Sequence, residues 1–133
     1  MLDRARTRAP EAEFVTLDLT GSLEPIADGY DRVVMSFILH ELDPAARERL
    51  LRLAVDRLTD QGSVGILEWD LPTSAMRRRV WRGVVRTIEP AVAHDVLAGG
   101  IDRALNGAEL RPSTVIPAAG GRASIVIAVD NRG

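Results

Sequence analysis

The sequence predicts an α/β fold in which a layered, mostly parallel sheet ends in an antiparallel hairpin. Three observations carry this. Residues 32–39 (Arg-Val-Val-Met-Ser-Phe-Ile-Leu) are almost continuously apolar, the pattern of a strand buried on both faces of a parallel sheet. A helical pattern follows and leads into a second apolar run, Ser63 to Glu68, which makes a strand-helix-strand crossover; such units build parallel sheets with right-handed connections. Near the end, residues 114–116 and 123–129 are strand-like and are joined by Pro117-Ala118-Ala119-Gly120-Gly121-Arg122, a loop suited to a hairpin.

The elements follow in order. Residues 2–8 read as a short helix stopped by Pro10, because the residue before a proline is pushed out of helical geometry. Glu13 to Leu19 is rich in apolar and β-branched residues and predicts a strand, and Gly21 to Gly29, with Pro25, predicts a loop. After the apolar run of 32–39, Asp43-Pro44 opens a helix with a capping side chain and a proline at the first helical position. Leu50, Leu51, Ala54, Val55 and Leu58 give that helix one apolar face, and Gly62 closes the turn into the next strand. Beyond Pro72 the spacing predicts a helix over 74–88 with Met76, Val80, Trp81, Val84 and Ile88 on one side. A second helical stretch over 91–105 is weakened by Gly99-Gly100.

Composition sets the bounds. At 133 residues and 46% hydrophobic, the chain fits a single domain over 1–133, with 73–107 as a helical cover segment. The formal net charge of −2 gives no global field toward nucleic acid or an anionic membrane. All 17 basic residues are Arg, and the absence of Cys excludes disulfides and thiolate chemistry. No apolar run approaches the roughly 20 residues of a transmembrane helix. A cytoplasmic protein with a small-molecule substrate, and with neither nucleic-acid nor membrane partners, is the expectation.

Residues 30–42 (Tyr-Asp-Arg-Val-Val-Met-Ser-Phe-Ile-Leu-His-Glu-Leu), the helix after them and residues 62–70 (Gly-Ser-Val-Gly-Ile-Leu-Glu-Trp-Asp) closely resemble one stretch of class I S-adenosylmethionine-dependent methyltransferases. In that family the stretch runs from the fourth to the fifth strand. Residues 1–10 resemble the helix after its second strand and the terminal hairpin its sixth and seventh strands, so the likeness covers nearly the whole chain. It implies a truncated Rossmann-like methyltransferase sheet, drawn from the family order 3-2-1-4-5-7-6. Two departures stand out. The family's Pro-Gly-Gly before the fifth strand is here Asp60-Gln61-Gly62, and its first strand, Gly-x-Gly-x-Gly loop and ribose-binding acid do not occur. Neither Gly99-Gly100 nor Gly120-Gly121 substitutes, since neither follows a strand and opens a helix.

The resemblance implies a methyltransferase-like protein acting on a small molecule if completed by a missing N-terminal part or a partner, with S-adenosylmethionine as cofactor. The alternative is a non-catalytic remnant of the fold serving as an oligomerisation or interaction module. By the same resemblance, Asp18 accepts a hydrogen bond from the adenine amine with Leu19 packed on the ring, or Asp18 caps a turn. Met35 and Ser36 lie at the carboxyl end of the fourth strand, where open α/β sheets bind ligands and where the family holds the methionine part of the cofactor. His40 and Glu41 stand where the family often has His-His or His-Glu, so they are the catalytic candidates, His40 as general base or structural cap. Glu68, Asp70 and Trp81 are the substrate-binding candidates, and a metal held by Glu68, Asp70 and His40 lacks a supporting ligand cluster. Arg78, Arg82 and Arg86 share a helical stripe that either holds an anion or is a solvated face.

Strand order adds one expectation. Without the family's first two strands, either Phe14 to Leu19 pairs directly with Val33 to Ile38, or that apolar edge stays open and invites a symmetric homodimer.

Overall fold

The computed structural model describes residues 2–19, 26–88 and 94–131. Its elements are α1 (Leu2–Arg8), β1 (Tyr30–Ser36), a 3-10 turn (Leu39–Glu41), α2 (Pro44–Val55), β2 (Leu58–Trp69), α3 (Ala75–Ile88), a π-helical turn (Val96–Gly100), α4 (Ile101–Gly107), β3 (Leu110–Ala118) and β4 (Ala123–Asp130). Four strands form one sheet in the order β1-β2-β4-β3. This is the order 4-5-7-6 of the methyltransferase sheet. β1 and β2 run parallel, and the β2–β4 and β3–β4 pairs are antiparallel.

The crossover forms for the reasons the sequence offers. Asp43 caps α2 by accepting a hydrogen bond from the Ala46 N–H at 2.8 Å, and Pro44 occupies the first turn. Leu50, Leu51, Ala54 and Val55 are buried against Val64 and Ile66 of β2, and Ala104 and Leu105 of α4 complete this core. β2 alternates strictly from Gly62 to Trp69: Gly62, Val64, Ile66 and Glu68 are buried, whereas Ser63, Gly65, Leu67 and Trp69 are half-buried.

Three expectations are corrected. Glu13 to Leu19 is not a strand; no strand among the described residues pairs with it, and only Phe14, Leu17 and Leu19 are partly buried. β1 ends at Ser36 and is not buried on both faces, since Val34 is 73% exposed. Asp60-Gln61-Gly62 is no turn: the chain reverses at Asp56 and Arg57, and Leu58 already belongs to β2. The β1 register jumps from Tyr30↔Leu58 to Arg32↔Ser63, and at this irregularity a Cβ on Gly62 would meet the Leu58 Cβ at 2.7 Å, so the backbone bend requires glycine. On α3, Met76, Val80 and Val84 face solvent, and the helix docks through half-buried Trp81 and buried Val85. Most of the loop expected over Gly21 to Gly29, and the start of the 91–105 stretch, lie outside the described residues.

Gly99-Gly100 does more than weaken a helix. Gly99 takes φ +85° at a kink, and a Cβ on Gly100 would strike Asp95 Oδ2 at 2.6 Å and Arg47 Nη1 at 2.7 Å. The pair of glycines lets this segment close on the part-buried Arg47–Asp95 ion pair.

Candidate functional site

β1 ends in a residue under strain. Phe37 adopts φ 50° while its N–H donates to the Leu67 carbonyl at 2.9 Å, and a left-handed phenylalanine costs about 1 kcal/mol. This turn carries the chain off the sheet and into Leu39–Glu41, so that His40 comes to lie over the end of β2.

There His40 meets Glu68. Both side chains are almost fully buried, and His40 Nδ1 lies 2.7 Å from Glu68 Oε1. The backbone N–H of His40 donates to Glu68 Oε2 at 3.2 Å, and that of Trp69 to Oε1 at 3.0 Å. A carboxylate only accepts, so in the contact with Glu68 the imidazole donates from Nδ1. Glu41, with 59% of its side chain exposed, stands 3.3 Å from Nε2 on the solvent side.

Aromatic rings close over this pair. Trp69 lies 4.7 Å from Phe37, 6.3 Å from His40 and 5.6 Å from Trp81, centroid to centroid, and the Arg122 guanidinium sits 5.7 Å from the centre of the Trp81 ring. The indole N–H groups of Trp69 and Trp81 are both buried without a protein acceptor. Glu68, Trp69 and Asp70 line a cleft of about 370 Å³ that reaches Leu97 and Gly99. Asp70 itself is exposed and accepts from the Leu71 N–H at 2.6 Å.

A second buried charge fixes the turn from behind. Arg47 is wholly buried; its Nε donates to the Leu39 carbonyl at 2.7 Å and its Nη1 pairs with Asp95, which Arg103 also reaches at 2.5 Å. Hydrogen bonding to Arg47, followed by the charges of Arg103 and Arg47, holds the Asp95 carboxyl below its ordinary value against the opposing effect of desolvation.

The structure thus brings His40, Glu41 and Glu68 together, with Trp81 joined to them through Trp69. The cofactor candidates do not converge in the same way. Asp18 and Ser36 are exposed, Leu19 is half-buried in an irregular segment, and Met35 is core, packed with Leu39. None of the four lines any of the five principal cavities. Among the described residues, these four do not come together around one cavity. Arg47 and Asp95 were not singled out from sequence; Arg47 could have been, since it sits one helical turn before Leu50 and Leu51 on the apolar face of α2.

Neither a protein-family model nor a curated protein sequence matches the chain. Solved structures do. The O-methyltransferase NcsB1 from neocarzinostatin biosynthesis, solved with S-adenosyl-L-homocysteine and 1,4-dihydroxy-2-naphthoic acid, superposes with TM-score 0.69 at 16% identity over 97% of this chain and 38% of its own. The fold is that of part of a methyltransferase. Mitomycin 7-O-methyltransferase MmcR gives TM-score 0.67 at 19% identity, covering 97% of this chain and 37% of its own. An O-methyltransferase family protein from Burkholderia thailandensis gives 0.63 at 17%, covering 99% and 41%. The chain therefore spans well under half the length of the methyltransferases it matches.

Proposed function

We propose that this chain carries the acceptor-activating part of an S-adenosylmethionine-dependent O-methyltransferase acting on a small hydroxylated molecule. The observation that carries the reading is the buried His40 Nδ1–Glu68 Oε1 contact at 2.7 Å, standing at the carboxyl ends of two parallel strands. Glu68 holds the imidazole in the tautomer that leaves Nε2 basic and balances the positive charge when Nε2 takes the acceptor's hydroxyl proton. Glu68 is in this reading a positioning residue and not a substrate contact. Exposed Glu41 gates the approach to Nε2, and the Phe37–Trp69–Trp81 aromatic cluster is suited to a planar acceptor. Since Asp18, Leu19, Met35 and Ser36 do not enclose a cofactor, the grip on the methyl donor is completed by residues supplied from elsewhere, an N-terminal part or a partner.

A second reading, a non-catalytic module that associates through its sheet, is favoured by exposed Val34 and by the edge of β1, which no other described strand pairs. Methyl transfer from labelled S-adenosylmethionine to simple phenols, assayed with the chain in the assembly in which it is isolated, separates the two. Catalysis that His40→Ala lowers by about 10²- to 10⁴-fold supports the first. Activity indifferent to His40→Ala refutes the assigned base, and complete inactivity of the assembly favours the second reading.

A further inference from the structure

The Arg stripe of α3 has a feature that the acceptor site does not absorb. Arg82 and Arg86, one turn apart, line a cavity of about 280 Å³ together with His94, Leu97 and Ala98. We propose that this cavity is a binding site for the oxyanion group of a small molecule, a carboxylate or a phosphate, held by the Arg82 and Arg86 guanidinia and the His94 ring.

Three observations converge on it. Like charges at i and i+4 on a helix repel, and among the described residues that line the cavity there is no acid. Asp95, next to His94 in sequence, is engaged by Arg47 and Arg103. His94 Nε2 is shut off from solvent and has no hydrogen-bond partner among the described residues, a buried polar atom of the kind that folded proteins rarely leave unsatisfied. An anionic oxygen in the cavity would accept from Nε2–H and from the forked guanidinium donors, satisfying the orphaned atom and offsetting the Arg–Arg repulsion at once. Leu97 and Ala98 supply an apolar wall, and the volume suits a ligand about the size of benzoate. Leu97 also lines the cleft below Glu68 and Trp69, so the two cavities adjoin.

The proposal does not depend on the methyltransferase reading, because binding is read without turnover. The folded chain is titrated with benzoate, with benzamide and with inorganic phosphate, while NMR follows the Arg Nε–H and His ring signals. Saturable shifts at Arg82, Arg86 and His94 are expected with benzoate or phosphate and not with neutral benzamide. Arg82→Gln and Arg86→Gln each weaken binding about tenfold, whereas Arg79→Gln, which removes the same charge from the same helix away from the cavity, leaves it within twofold. Stronger binding of benzoate than phosphate assigns a carboxylate ligand, and the reverse assigns a phosphate. Non-saturating shifts, equal effects of Arg79→Gln, or equal binding of benzamide would overturn the proposal; circular dichroism of each variant verifies that α3 is retained.

Discussion

At the scale of residues, the site is built on a buried pair, His40 with Glu68, and a part-buried pair, Arg47 with Asp95, both tied to one 3-10 turn. The family resemblance made His40 and Glu41 visible as candidates, and Glu68 was visible at the end of a strand. It could not show that Glu68 serves His40, since the two are 28 positions apart and only the parallel register of β1 on β2 brings them together. Asp95 provides a test of the supporting pair. Its carboxyl is held below the ordinary 3.8, so its contribution is fully present above that value and is lost as pH falls through the folded value. Asp95→Asn should lower stability near neutrality; because 34% of the side chain remains in water, screening limits the loss to about 1 kcal/mol. The gap between wild type and variant should stay constant from neutrality down to about pH 5 and close in stronger acid, as measured by denaturant unfolding across pH. A gap that widened in acid would contradict the pairing.

At the scale of elements, the crossover and the hairpin were legible because each carries its own signals: the Asp43-Pro44 cap, the apolar face of α2 and the glycines of the hairpin loop. The expected strand over Glu13 to Leu19 was not, since strand composition records only a liking for a pleated surface, and the ladder depends on a neighbour. Helix α3 was placed correctly in the chain. Its stripe of Met76, Val80 and Val84 is exposed, and what fixes it is Trp81 packed against Trp69, Val85 in the core and the Arg78 Nε bond to the Pro72 carbonyl at 3.2 Å. With two tryptophans in the chain, Trp69→Phe leaves Trp81 as the only indole. Its fluorescence should be blue-shifted from that of hydrated indole and should move red on Arg122→Ala, which opens the cover above the ring. Emission of a fully hydrated indole in the folded variant would mean that α3 is undocked.

At the scale of the whole molecule, the four-strand order was legible through the resemblance, whereas the open flank of the sheet follows from what surrounds β1. β1 pairs with β2 alone among the described strands, and Val34, Gly65, Leu67, Ile125 and Ile127 line an apolar groove. Two such edges satisfy each other around a two-fold axis, so light scattering over a dilution series should show twice the 14.5 kDa chain mass at high concentration, and a monomer at every concentration would refute the symmetric pairing. The same openness bears on the cofactor, because Asp18, Leu19, Met35 and Ser36 are present but do not enclose a ligand. The central claim is a methyltransferase fold that holds a positioned base without its own cofactor enclosure. Calorimetric titration of the isolated chain with S-adenosylmethionine tests it most directly. Binding weaker than about 1 mM, above roughly −4 kcal/mol, is the predicted result, and a micromolar dissociation constant would contradict it.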